Sequence, residues 1–163
     1  MICKIMSEHE VNQCMIPNLL ALQENAQHVL TALNPHTTGA TVVALHGELG
    51  AGKTAWVQSC AQVLGVHDTI QSPTFTILKR YETRHPLWQQ LVHMDAYRIE
   101  DESELAPLRL DSYLKDSHTL MCIEWAERIE GVLPEQTIHL HFEHQPMVSD
   151  TARQLTIRGL ALA

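Results

Sequence analysis

Apolar residues recur at steps of three and four between Pro17 and Leu33, through Leu19, Leu22, Ala26, Val29, Leu30 and Leu33. That period predicts an amphipathic helix, entered near Pro17 and ended by NPHTTG. The pattern then changes character. TVVALH (41–46) is a continuous β-branched and apolar run, the mark of a strand buried on both faces. After a glycine-rich stretch, Lys53 to Leu64 reads as a second helix, closed by Gly65. FTILKRYE (75–82) and QLVHM (90–94) are strand-like, and the seven residues between them, TRHPLWQ, are too few for a crossover helix. An antiparallel hairpin is expected there. Asp101 to Lys115 predicts one or two short helices interrupted at Pro107, TLMCI (119–123) a central strand, and Thr137–Phe142 with Gln154–Arg158 a last pair of strands. Residues 1–16 are expected to be a loosely ordered N-terminal extension, which leaves 17–163 as a single domain. The whole predicts an α/β fold with a mixed, mostly parallel sheet, one antiparallel hairpin and helices on both faces.

Composition narrows the class without naming it. The chain has 163 residues, 45% of them hydrophobic and 18% charged, which suits one globular domain. No apolar run approaches the length of a transmembrane helix, and MICKIMSEHEVNQCM lacks the apolar core of a signal peptide, so a cytoplasmic protein is expected. Cys3, Cys14, Cys60 and Cys122 are scattered, with no C-x-x-C pair, which favours reduced thiols over a disulfide or a zinc site. A formal charge of −8, with no cluster of Lys or Arg, argues against autonomous binding to nucleic acid, where neutralising phosphates supplies most of the affinity.

GELGAGKT fits the pattern G-x-x-x-x-G-K-[ST] at Gly47, Gly52, Lys53 and Thr54. It follows a predicted strand and opens a predicted helix, the context that a phosphate-binding P-loop requires. Backbone N–H groups of Gly47, Glu48, Leu49, Gly50, Ala51 and Gly52 are then expected to face phosphate oxygens, with Lys53 on the terminal phosphates and the Thr54 hydroxyl on Mg²⁺. Metal and water need an acid at the end of a neighbouring strand. LVHMD ends in Asp95 and LMCIE in Glu124, both where ligands of open α/β sheets collect. One would hold the metal and the other orient the attacking water; spacing does not assign which.

In SPTFT (72–76) the Thr74 hydroxyl could face the terminal phosphate, although a plain turn into a strand is the alternative reading. Trp125, next to Glu124, could cover the nucleotide or simply pack. His139 and His141 share a strand face and could ligate a metal, with His144 nearby; polar residues on an outer strand are the commoner reading. Neither N-K-x-D nor T-K-x-D occurs, which disfavours GTP, and the arginines are too dispersed for a phosphate-gathering lid. The residues alone thus point to an ATPase working on a partner protein. A small-molecule kinase and a non-hydrolysing, nucleotide-gated binding module are the alternatives.

In series, GELGAGKT, SPTFT with Tyr81, HMDAYR (93–98), IEWAER (123–128) and VLP (132–134) resemble the TsaE (YjeE) family. These are small ATPases of bacterial tRNA threonylcarbamoyladenosine biosynthesis. The resemblance implies ATP and Mg²⁺ as ligands, weak intrinsic hydrolysis, and action with the TsaB and TsaD proteins on tRNA next to the anticodon. It makes Lys53 and Thr54 the loop lysine and metal-binding threonine, Glu124 the metal-associated acid and Asp95 a switch-region acid. Thr74 falls in a first switch-like segment, and Trp125 follows the acid as the family's tryptophan does. Glu48 stands where the family commonly has Asp, and the N-terminal extension is longer than usual, so that Met15 is a second possible start.

Overall fold

The computed structural model describes residues 3–6, by their backbone, and 11–162. Eight strands are present among them: β1 (Cys3–Met6), β2 (Val11–Ile16), β3 (Thr41–His46), β4 (Leu78–Glu82), β5 (Gln90–Asp95), β6 (Thr119–Glu124), β7 (Ile138–His144) and β8 (Arg153–Arg158). They form one sheet in the order β1-β2-β8-β7-β3-β6-β5-β4. At its centre β7, β3, β6 and β5 are parallel. Antiparallel pairing adds β4 on one side and β8, β2 and β1 on the other. This is the mixed sheet with a hairpin that the pattern predicts, and β4–β5 is that hairpin.

Alternation along the central strands explains why both faces are covered. Val43, Leu45, Leu91, Leu120 and Cys122 point to the face carrying helices α1 (Leu19–Ala32) and α2 (Lys53–Val63). Val42, Ala44, Met94, Met121 and Ile123 point to the other. That second face packs under helix α3 (Leu110–Leu114) and two 3₁₀ segments, Glu102–Leu108 and Ala126–Val132. A strand apolar on both faces is stable only between two such layers.

Between α1 and α2 the buried Trp56 indole donates from Nε1 to Asn25 Oδ1 at 3.1 Å. Asn25→Ala strands that N–H in an apolar layer. We expect a loss of about 1–3 kcal/mol, read as a lower urea midpoint at unchanged m-value.

Four expectations need correction. Residues 11–16 are not loose: β2 pairs with β8 along its whole length and buries Asn12, Cys14 and Ile16. A polar residue at a buried position hid the alternation, and Asn12 is accommodated by donating from Nδ2 to Leu160 O at 2.7 Å. Residues 1–2 and 7–10 of the expected extension lie outside the described residues. Cys14, opposite Cys3 in the β1–β2 ladder, is disulfide-bonded, whereas Cys60 and Cys122 are free and buried.

The hairpin strand starts at Leu78, not Phe75. Ile77 holds a positive φ of 64° and donates to Pro73 O at 2.6 Å, so residues 73–77 close a turn before the ladder begins. The helical stretch breaks at Arg109, in left-handed geometry, and runs through Pro107. No helix among the described residues is long and apolar enough to cross a membrane.

Candidate functional site

The loop between β3 and α2 sits at the carboxyl end of the parallel strands, where strand order and chain order part. Gly47 has φ 135°, and a Cβ there would stand 2.5 Å from Phe142 O, so glycine is required on both counts. Gly52 caps α2 in left-handed geometry with no side-chain hydrogen bond, leaving the first turn's N–H groups to face the loop. Loop residues Leu49–Thr54 line a cavity of about 290 Å³ together with Ser72, Thr74, Asp95, Tyr97, Glu124 and Trp125. Glu48 turns its side chain to solvent and contributes its carbonyl to the loop.

Lys53 is buried, and its Nζ donates to Gly47 O at 2.5 Å and Glu48 O at 2.9 Å. The same amine lies 4.1 Å from the Trp125 ring centroid, a cation–π distance. Burial lowers the lysine pKa, opposed by the nearby Glu124, Glu127 and Asp95. Trp125 reaches this position because its backbone is left-handed (φ 57°), turning the chain sharply after β6. Its N–H donates to Leu45 O at 3.1 Å.

Asp95 and Glu124 are opposite one another at the ends of β5 and β6. Both are nearly inaccessible, at 3% and 4% exposure, so each must be satisfied by the protein. Glu124 Oε1 accepts from Thr54 Oγ1 at 2.7 Å and from His93 Nε2 at 2.8 Å. With its proton on Nε2, fully buried His93 keeps an unpartnered Nδ1 as a bare acceptor. Asp95 Oδ2 accepts from Thr74 Oγ1 at 2.7 Å and from Ser72 Oγ at 3.3 Å, while Oδ1 accepts from Tyr97 N at 3.0 Å. The SPTFT segment therefore belongs to the site, tied to the strand-end acid and not only to its own turn.

Of the residues singled out in the sequence for this site, Leu49–Thr54, Thr74, Asp95, Glu124 and Trp125 line the cavity. Gly47 and Glu48 do not, and connect to it through the carbonyls that accept from Lys53. Three others were missed. His93 shares a strand face with Asp95, and the two-residue period of LVHMD would have found it. Ser72 was inside a motif already noted. Arg153, at the start of β8, donates from Nε to Ala51 O at 3.1 Å and from Nη2 to Gly50 O at 3.3 Å, and no local pattern announces it. On the other sheet face, burial followed by the charge of His46 lowers the His139 pKa and takes that of His141 down to about 4.

Comparison with known proteins agrees with the motif series. The family model described as "Threonylcarbamoyl adenosine biosynthesis protein TsaE" matches residues 17–155. The chain belongs to the TsaE family. A TsaE from Bacillus subtilis, described as a tRNA threonylcarbamoyladenosine biosynthesis protein, is 40% identical over 120 residues, covering 73% of this chain and 70% of its own. The TsaE of Haemophilus influenzae is 32% identical over 125 residues, covering 77% and 74%. Among solved structures, the crystal structure of YdiB from Bacillus subtilis superposes with a TM-score of 0.70 at 26% identity, covering 97% of this chain and 90% of that one. TsaE membership thus extends across the loop, both acids and β7, with the mixed α/β fold shared.

Proposed function

We propose that this protein binds and hydrolyses ATP as a component of tRNA threonylcarbamoyladenosine biosynthesis, acting with TsaB and TsaD, in the cytoplasm. The observation that carries the reading is the convergence of Lys53, Thr54, Glu124 and Asp95 on one cavity, in a chain of the TsaE family.

The donor set fits a nucleotide with magnesium. Thr54 and Glu124 offer hydroxyl and carboxylate oxygens in contact with each other, the hard ligands that Mg²⁺ takes beside substrate phosphates. The uncapped start of α2 supplies N–H donors and a favourable dipole for anionic phosphate. Bound magnesium would neutralise phosphate charge at the transferring group. Lys53 would add a second positive charge beside it. Asp95, fixed by Thr74, Ser72 and Tyr97, would orient the attacking water and accept its proton, and the Trp125 and Tyr97 rings would shield the cavity mouth. Dependence on partners is supported by exposed apolar side chains: Leu49 at 85% and Tyr97 at 48% line the cavity, and Phe75, next in sequence to Thr74, is 84% exposed.

Phosphate release from ATP is the test, measured with the chain alone and with purified TsaB and TsaD added. We expect stimulation of at least about tenfold, within the usual range of coupling between sites. Unchanged turnover would overturn partner dependence. A metabolite phosphorylated without any partner would instead indicate a kinase, and ATP-dependent partner binding without phosphate release a nucleotide-gated module.

A further inference from the structure

Three imidazoles gather on the sheet face opposite α1 and α2. His46 ends β3, while His139 and His141 are two apart in β7, with His46 paired to His141 and Ala44 to His139. The two-residue period of adjacent parallel strands puts all three side chains on one face. His46 is the middle member. Its Nε2 lies 3.0 Å from His139 Nδ1, and its ring stacks on that of His141 with centroids 4.3 Å apart. One nitrogen from each ring falls within 4.8 Å of the others, and all three residues are half-buried. Behind His46, Glu127 Oε2 sits 3.0 Å from Nδ1. A carboxylate that accepts a hydrogen bond from Nδ1–H keeps the proton on Nδ1 and leaves the Nε2 lone pair facing the cluster, the arrangement that orients metal-binding histidines.

The geometry points to a divalent transition-metal site of zinc type, with His46, His139 and His141 as ligands, Glu127 orienting His46, and a fourth position left for water. Imidazole nitrogens suit Zn²⁺ and its borderline neighbours, and three of them make an open tetrahedral set. Ligand nitrogens about 2.0–2.1 Å from one metal lie roughly 3.4 Å from each other. The His46 and His139 nitrogens, 3.0 Å apart, would part slightly to meet that spacing, and the His141 nitrogen, within 4.8 Å of both, would draw in. This site is separate from the oxygen ligands of Thr54 and Glu124, which favour magnesium. It abuts the loop through the chain itself, because His46 immediately precedes Gly47. His144 takes no part, being exposed at the end of β7.

The test uses the full chain, freed of any affinity tag, in saturating Mg²⁺ and without nucleotide. Zn²⁺ is titrated against a chromophoric chelator, and Co²⁺ serves as a spectroscopic probe of coordination. We expect a single equivalent of Zn²⁺ and a four-coordinate Co²⁺ spectrum. His139→Gln and His141→Gln should each weaken uptake by at least about tenfold and Glu127→Gln by about 10–100-fold, with His144→Gln unchanged. Thermal melts establish that the variants fold. As a check free of mutation, Zn²⁺ should protect His46, His139 and His141 of the native chain from diethylpyrocarbonate, located by mass spectrometry. The inference is overturned by no stoichiometric uptake, by uptake that survives both β7 variants, by an equal loss in His144→Gln, or by protection of other histidines.

Discussion

Lys53→Ala should lower ATP turnover in the presence of TsaB and TsaD by about 100- to 1,000-fold, the effect of removing one preorganised group from a developing charge. The size follows from where the amine is kept. It lies in a buried, low-dielectric pocket between the Gly47 and Glu48 carbonyls and the Trp125 ring. A charge there interacts with phosphate far more strongly than a solvated lysine does. Three acids also surround it, so removing the lysine leaves Glu124, Asp95 and Glu127 to repel an anionic ligand. Nucleotide affinity should therefore fall along with turnover, as equilibrium binding of a fluorescent ATP analogue can report. A variant that keeps more than a tenth of the stimulated rate would remove Lys53 from the proposed chemistry.

Glu124→Gln should separate chemistry from folding. Glutamine retains an Oε1 able to accept from both Thr54 and His93, so the melting temperature should stay close to that of the parent. Only the charge available to magnesium is lost. We expect Mg²⁺-dependent hydrolysis to fall by about 100-fold or more, while nucleotide binding without Mg²⁺ changes little. Glu124→Ala differs because it deprives the fully buried His93 Nε2–H of its acceptor, at about 1–3 kcal/mol. It should therefore lose stability as well as hydrolysis. If Glu124→Gln weakens Mg²⁺-free binding as much as hydrolysis, Glu124 serves the loop's shape and not the metal.

Local patterns made most of the parallel core legible, because the elements there are strongly periodic. TVVALH is β3 to the residue, and TLMCI lies within β6. Strand-end acids were legible for the same reason: a run of apolar residues ending in Asp or Glu fixes where the carboxylate emerges. What local pattern misses is held by distant partners. β2 is a strand because β8 pairs with it from more than a hundred residues away, and the buried Asn12 breaks the alternation that would have revealed it. Leu19 fits the helical stripe of α1 yet is 59% exposed, while Asn25 is buried because the Trp56 indole needs an acceptor. His46 was out of reach of the His139 and His141 pattern until the β3–β7 register placed it beside them.

Arg153 carries a consequence for how the protein is made. Its guanidinium ties the Gly50 and Ala51 carbonyls to a strand that emerges about a hundred residues later. β3 likewise receives its two neighbours, β6 and β7, only from the second half of the chain. On the ribosome the phosphate loop is therefore synthesised early and shaped late. A nascent chain lacks the guanidinium ties to Gly50 and Ala51 until β8 has emerged and docked.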